Sequence, residues 1–230
     1  MFREDGPLYK MMWTLADMFV INILWLVFSL PIVTIGASTA AAIEVNMRIV
    51  KKEESYIWKN FWSAFKKNFI DGTKLFFLLV IIVYFLYLNI QYFFISENLF
   101  QLAIISMAAI FTVLCYLYAF PLAVRYVNTT RRTLVNSMFF AIRWPLKTLI
   151  TLVQVGILLF AYVFFSMILI FDDPGTGMGM FSMFVVVLLP EMILITLAYR
   201  GTKVIDAFKE LEGQEADKEE AYASTDNFKN

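Results

Sequence analysis

The stretch SLPIVTIGAS, residues 29–38, interrupts an apolar run and decides how many helices the N-terminal part of the chain forms. Pro31 has no backbone N–H, and a proline and a glycine five residues apart break a helix more readily than either does alone. We therefore expect two segments here, about residues 8–30 and 37–50, with Pro31 and Gly36 in an outer turn between them.

The alternative is one helix from about Met18 to Ile43, kinked at Pro31, which gives five membrane crossings and an outside N-terminus. Two segments give six crossings with both termini inside. At 1.5 Å per residue, residues 37–50 reach only about 21 Å, so this second arm has to be tilted, re-entrant or shielded by protein.

The composition is that of an integral membrane protein. Of the 230 residues, 60% are apolar and 24 are Phe, and the mean hydropathy is +0.71. The charges balance at 19 basic and 19 acidic residues, so they indicate no nucleic-acid partner. The sequence has no histidine and a single cysteine, which excludes disulfide frameworks and nucleophiles activated by histidine and argues against a zinc site. We expect no enzymatic activity, no cofactor and no metal.

Four further segments are long enough to cross a membrane, at about 20 residues per span. They are residues 75–95, 99–123, 148–171 and 180–199. With the two N-terminal segments they predict an all-α, polytopic helical membrane bundle of three hairpins, comprising five full spans and a short sixth helix. Residues 48–74 carry seven basic residues, and residues 125–147 carry five with no acid, so both loops and both termini are predicted to be cytoplasmic.

Both basic loops contain an amphipathic pattern at helical spacing, at about residues 56–70 and 130–144. Such helices lie at the membrane interface against anionic headgroups or bind a partner, or else fold over the ends of the bundle. The residues that we expect to do so are Trp58, Phe61, Trp62, Phe65, Lys66 and Lys67 in the first helix and Arg131, Arg132 and Arg143 in the second.

The two loops align at an offset of 77, which places Arg48 on Arg125, and Arg200 follows 75 residues later. This spacing suggests a unit of a membrane hairpin plus a cytoplasmic amphipathic helix, used three times. The alternative is that an arginine at an inner interface is ordinary. We expect one transmembrane domain over residues 1–212 and a disordered, acidic cytoplasmic tail over residues 213–230.

The polar residue that stands out is Glu191, which follows Pro190 within an apolar segment, where a carboxylate is costly without a partner. It is either part of a cation or solute site or a structural acid bonded to a neighbouring helix. Candidate partners, each within an apolar segment, are Asn89, Gln91, Gln154 and Asn22. Glu44 and Arg48, four apart, are interpreted as a structural ion pair on a helix surface.

Four stretches carry a family resemblance: SLPIVTIGAST, RIVKKEE, FWSAFKKNF and, further along the chain, RYVNTTRRTLVNSMFFAIR. They resemble the YesL-like family of bacterial membrane proteins, best known from Gram-positive bacteria. The resemblance implies a bacterial plasma-membrane protein in a carbohydrate-utilisation context, because the genes of that family tend to lie beside oligosaccharide uptake components and two-component regulators. It implies no reaction and no catalytic residue.

Two functions follow from these observations. The first is a non-enzymatic accessory protein of an oligosaccharide uptake or sensing system, which contacts a transporter permease or a sensor kinase through its cytoplasmic helices. The second is a small-solute transporter with a midplane site that includes Glu191.

Overall fold

The computed structural model describes residues 7–51, 56–96, 99–126, 129–171 and 177–227, and these contain helices and no strand. Seven α-helices and one 3₁₀ turn follow in this order: α1 (Pro7–Ser29), the 3₁₀ turn (Ile32–Thr34), α2 (Ile35–Val50), α3 (Ile57–Ser96), α4 (Leu99–Arg125), α5 (Thr130–Arg143), α6 (Pro145–Phe171) and α7 (Gly177–Asn227). The prediction of an all-helical chain is confirmed.

Four of the described helices are long and apolar enough to cross a membrane. They contain the four clear predicted spans, and their apolar segments are Ile57–Phe93, Leu99–Arg125, Pro145–Phe171 and Phe181–Ala207. Helix α1 has 23 residues, Pro7–Ser29, and its second half, Ala16–Ser29, is apolar.

The break at Pro31 separates two helices, so the single kinked helix is wrong. Pro31 is extended, with φ −77° and ψ 121°. The Thr34 hydroxyl lies 2.6 Å from the Phe28 carbonyl oxygen and 2.7 Å from that of Pro31, both acceptors at the end of α1. The hydroxyls of Ser29 and Ser38, 2.6 Å apart, then join the two helices.

The short helix α2 lies in the centre of the bundle. Its sequence is rich in alanine, and almost every residue from Gly36 to Met47 is buried. It packs against α1, α3, α4 and α7. Of the arrangements expected for this arm, shielding by protein is the one observed.

The contact between α2 and α3 corrects the predicted first hairpin. A Cβ on Gly36 would lie 2.2 Å from the carbonyl oxygen of Gly72, and the Thr73 hydroxyl donates to the Val33 carbonyl oxygen at 3.2 Å. The prediction put the turn outside and residue 72 inside, on opposite sides of about 30 Å of hydrocarbon. Because the two segments are in direct contact they lie at one depth, so that pair of placements is wrong.

The amphipathic segment at 56–70 and the span at 75–95 form one helix, α3, instead of the two that we predicted. It has 40 residues and a length of about 60 Å. In the second loop the predicted break is present, because Pro145 follows Trp144, which leaves the helical conformation with φ −125° and ψ 69°. Residues 56–96 contain no proline, the residue that marks the break in the second loop.

The structure describes residues 213–227, which we predicted to be a disordered tail, as the continuation of α7 to Asn227. Residues 228–230 lie outside the described residues. The segment is rich in alanine, glutamate and lysine, which are strong helix formers, and this explains a helix where the low hydrophobicity predicted none.

Candidate functional site

Glu191 lies inside the bundle on α7 and bonds to α2. Its side chain is 1% exposed, and Oε1 accepts a hydrogen bond of 2.7 Å from Nδ2 of Asn46, which is fully buried. Oε2 of Glu191 and Oδ1 of Asn46 have no hydrogen-bond partner among the described residues.

Asn22 of α1 reaches the same helix one turn earlier. Its Nδ2 donates to the carbonyl oxygen of Val187. This carbonyl group follows that of Val186, which receives no helical hydrogen bond because Pro190 has no N–H. Oδ1 of Asn22 is buried without a partner among the described residues. An amide from α1 and an amide from α2 are thus held against successive turns of α7, beside the proline.

This cluster, Asn22, Asn46 and Glu191, presents three buried acceptor oxygens that nothing in the described part of the chain satisfies. An unpaired buried acceptor costs about 1–3 kcal/mol. A proton on the carboxyl group, a water molecule or a small cation that prefers oxygen ligands would each satisfy some of them. The described residues hold no group of three or more His, Cys, Asp or Glu side chains, so the cluster's chemistry is that of amide oxygens and a single carboxyl group.

Three of the four partners predicted for Glu191 lie elsewhere. Asn89 is exposed and donates to the Phe85 carbonyl oxygen of its own helix at 2.8 Å, and Gln91 is exposed as well. Gln154 is exposed and accepts a bond of 2.9 Å from Nε of Arg200. The apolar pattern of a span does not show which side faces the other helices, so these three could not be separated from Asn22 by sequence alone.

Asn46 was missed because it lies in the short arm, between the interpreted ion pair of Glu44 and Arg48. Its only sequence signal is an amide directly after the apolar stretch AAAIEV.

The predicted ion pair of Glu44 and Arg48 is present, but Glu44 does not lie on an exposed helix surface. Its carboxylate is nearly buried. Oε1 lies 3.0 Å from Arg48 and 3.3 Å from Nζ of Lys67, and Oε2 accepts a bond of 2.7 Å from Asn68. Two of these three partners belong to α3, so Glu44 joins α2 to α3.

The aromatic face in the first half of α3 is divided between the core and the surface. Phe61 and Phe65 are buried and pack on Phe28 of α1, with ring centroids 5.5 and 5.0 Å apart. Trp58 and Trp62 stay 61% and 41% exposed. Both tryptophans also contact Phe28, with ring centroids 6.2 and 5.5 Å away, so all four aromatic side chains fold over α1 and the two tryptophans are in addition partly exposed.

In the first half of α3 the lysines differ as well. Lys66 is exposed, and its Nζ lies 4.9 Å from the centroid of the Trp62 ring. Lys67 is exposed too, but its Nζ lies 3.3 Å from Oε1 of Glu44.

Helix α5 buries two hydroxyl side chains together with Phe140 and Ala141, and leaves three other apolar side chains exposed. Thr133 and Ser137 are buried, with their hydroxyls bonded to carbonyl oxygens one turn earlier. Val135, Phe139 and Ile142 are 62%, 54% and 63% exposed. We call these three residues the α5 stripe. The predicted basic residues beside it are exposed too: Arg131, Arg132 and Arg143.

Comparison with known proteins gives one match. Residues 18–90, about a third of the chain, match a protein family described as "Protein of unknown function, DUF624". No curated protein and no solved structure matches the chain. The matched region contains α2, the first half of α3, Asn46 and Glu44, but not Glu191.

Proposed function

We propose that the protein is a non-enzymatic, multi-pass component of a bacterial plasma membrane that acts as an accessory subunit of an oligosaccharide uptake or sensing system. The family resemblance supports the carbohydrate context. The observation that carries the accessory role is the α5 stripe. This 14-residue helix buries two hydroxyls and exposes three apolar side chains, and an exposed apolar surface of this kind is suited to contact with a partner protein.

The partner that fits this surface is a membrane-embedded permease or sensor-kinase subunit with an apolar groove and an acidic rim. A helix face with apolar anchors at i, i+4 and i+7 binds in such a groove. The three arginines beside the stripe would pair with the rim and fix the orientation.

Co-purification after mild detergent extraction from the native host tests this proposal. We expect a permease or sensor-kinase subunit to be recovered with the native chain and lost with Phe139→Ser. Phe160→Ser is the matched control, because Phe160 is 74% exposed on a different helix, and it should retain the partner. Recovery of the chain alone, or equal retention by both variants, would refute the proposal.

In the proposed topology the segments around residues 97–98 and 172–176 face outside and the basic segments face the cytoplasm. Cysteines placed at Asn98 or Thr176 should then react with a membrane-impermeant reagent in intact cells. Reaction only after permeabilisation would reverse the orientation.

A second candidate function, a small-solute transporter, is favoured by the three unsatisfied oxygens of the Asn22–Asn46–Glu191 cluster. Buried ionisable residues inside membrane bundles commonly mark ion or proton pathways. An apolar cavity of about 370 Å³ borders the adjacent Pro190 and is also lined by Trp25 and Thr39.

Proteoliposome assays separate the two functions. A transporter should move a proton, a cation or an oligosaccharide in the native form and at least about tenfold more slowly as Glu191→Gln. Glu210→Gln, an exposed position further along α7, is the control and should transport normally. Absence of transport of all three solutes by the native protein would remove this candidate.

A further inference from the structure

A polar cavity of about 470 Å³ lies between the last turns of α2, the first half of α3 and the end of α4. Its wall carries four cationic side chains and one carboxylate, which belong to Arg48, Lys51, Lys67, Arg125 and Glu44. The cavity is distinct from the Glu191 cluster, none of whose residues lines it.

Glu44 holds two of the cations at the wall. Arg48 and Lys67 approach the same carboxylate oxygen, at 3.0 and 3.3 Å. The other oxygen is bonded to Asn68 at 2.7 Å. Glu44 is nearly buried and surrounded by donors. It therefore holds Arg48 and Lys67 in position at the cavity wall.

Asp206 of α7 holds the other two. Its Oδ1 lies 3.8 Å from Nζ of Lys51 and 3.7 Å from Nη2 of Arg125. These distances are long for charge-assisted hydrogen bonds, which are about 2.7–2.9 Å. Lys51 and Arg125 are therefore near a counter-charge but retain donors for a further acceptor.

Four cations facing two carboxylates leave two positive charges uncompensated among the described residues. We propose that this cavity binds a phosphate group. A phosphate monoester carries about −1.5 to −2 charges near pH 7, which matches that excess.

The donors also suit this ligand. A guanidinium group can bind two phosphate oxygens at once, and a lysine adds a point charge. Here these cations come from α2, α3 and α4, so they can surround a tetrahedral anion. A single carboxylate ligand would neutralise only half of the excess. The cavity volume is within the range of small-ligand sites, about 300–1,000 Å³.

The phosphate could belong to an anionic phospholipid or to a water-soluble compound. The cavity lies where α2 and α4 end, on the side predicted to be cytoplasmic, and basic pockets between membrane helices on that side bind anionic headgroups. The chemistry is the same for both sources, so the experiment has one arm for each.

The soluble arm measures thermal unfolding of the purified full chain in detergent with inorganic phosphate or with chloride at equal ionic strength. We expect phosphate to raise the midpoint for the native protein. Lys67→Gln should lower the apparent phosphate affinity by about tenfold or more. Lys74→Gln is the matched control, because Lys74 is exposed on the same helix two turns away and does not line the cavity.

The lipid arm measures the same midpoints in nanodiscs of phosphatidylcholine with or without phosphatidylglycerol. A headgroup site predicts that the anionic lipid raises the midpoint of the native protein and of Lys74→Gln, and that Lys67→Gln loses this shift. A response to the anionic lipid, with or without a response to inorganic phosphate, assigns the site to a lipid headgroup, and a response to inorganic phosphate alone assigns it to a soluble ligand.

Asp206→Asn tests the proposal with a variant that should bind more tightly, so that misfolding cannot imitate the expected result. Removal of this negative charge should strengthen phosphate or headgroup binding severalfold. The proposal is overturned if neither arm responds, if Lys74→Gln loses as much affinity as Lys67→Gln, or if Asp206→Asn binds more weakly than the native protein.

Discussion

The contact between Gly36 and Gly72 makes Gly36→Ala the most informative single substitution for the fold. The new methyl carbon would lie 2.2 Å from the Gly72 carbonyl oxygen and 2.6 Å from Cβ of Phe76. Ordinary contacts begin at 3.4 Å, so the overlap is about 1.2 Å. Neither obstacle is the flexible end of a side chain, and α2 and α3 must therefore move apart.

Overpacking of this kind costs about 1–3 kcal/mol. Alanine also gains about 0.5–1 kcal/mol over glycine within a helix. At mid-range, about 2 kcal/mol is lost and about 0.75 kcal/mol gained, so we expect the free energy of unfolding to fall by about 1 kcal/mol, which corresponds to a midpoint lower by roughly 2–4 °C for a chain of this size.

The assay is thermal unfolding in detergent, with Gly156→Ala as the matched control. Gly156 is also helical, but a Cβ there would meet no atom within 4 Å. It keeps the helix gain without the clash, so its midpoint should be unchanged or slightly higher. Equal midpoints for the two variants would refute the close packing of α2 on α3, and with it the placement of the Pro31–Gly36 turn.

Two further predictions test the depth of that turn and the buried cluster. In a cysteine-free background, Val33→Cys with Thr73→Cys should form a disulfide under mild oxidation. Val33→Cys with Leu99→Cys should not, because Leu99 follows the far end of α3, about 35 Å from Thr73. The opposite pattern would place the Pro31–Gly36 turn on the outer side. Glu191→Gln should change the free energy of unfolding by less than about 1 kcal/mol, since an amide oxygen can still accept from Asn46, and Glu191→Leu should lower it by about 1–3 kcal/mol by leaving that donor unpaired; chemical denaturation measures both, and equal stability would contradict the bond.

The four long spans could be predicted because a run of about 20 apolar residues has few other uses. The break at Pro31 could be predicted for a similarly local reason, since proline lacks the N–H that a helix needs. The end of α5 before Pro145 follows from the same chemistry. These features depend on residues that are neighbours in the sequence.

The arrangement of α2 on α3 could not be predicted in this way. The rule that places basic segments in the cytoplasm led us to treat residues 48–74 as a loop. The same basic residues would be present whether this segment were a loop or the start of a long helix, so the charge does not distinguish the two. What distinguishes them is the approach of Gly36 to Gly72, and each glycine by itself only suggests a turn or a loss of helix stability. The pair has meaning only when both helices are placed.

The same reasoning explains why only one of the partners of Glu44 was predicted and why the cavity was missed. A glutamate four residues before an arginine predicts a local pair worth about 0.2–0.5 kcal/mol, and nothing in that spacing indicates Lys67 or Asn68. Burial adds a requirement that the spacing does not show. A carboxylate taken out of water needs hydrogen-bond donors around it, and here other helices supply some of them. Glu44 and Asp206 thus gather cations from α2, α3 and α4 around one space. An excess of positive charge held in this way is stable only if solvent or an anion fills that space, so the fold itself favours an anionic ligand there.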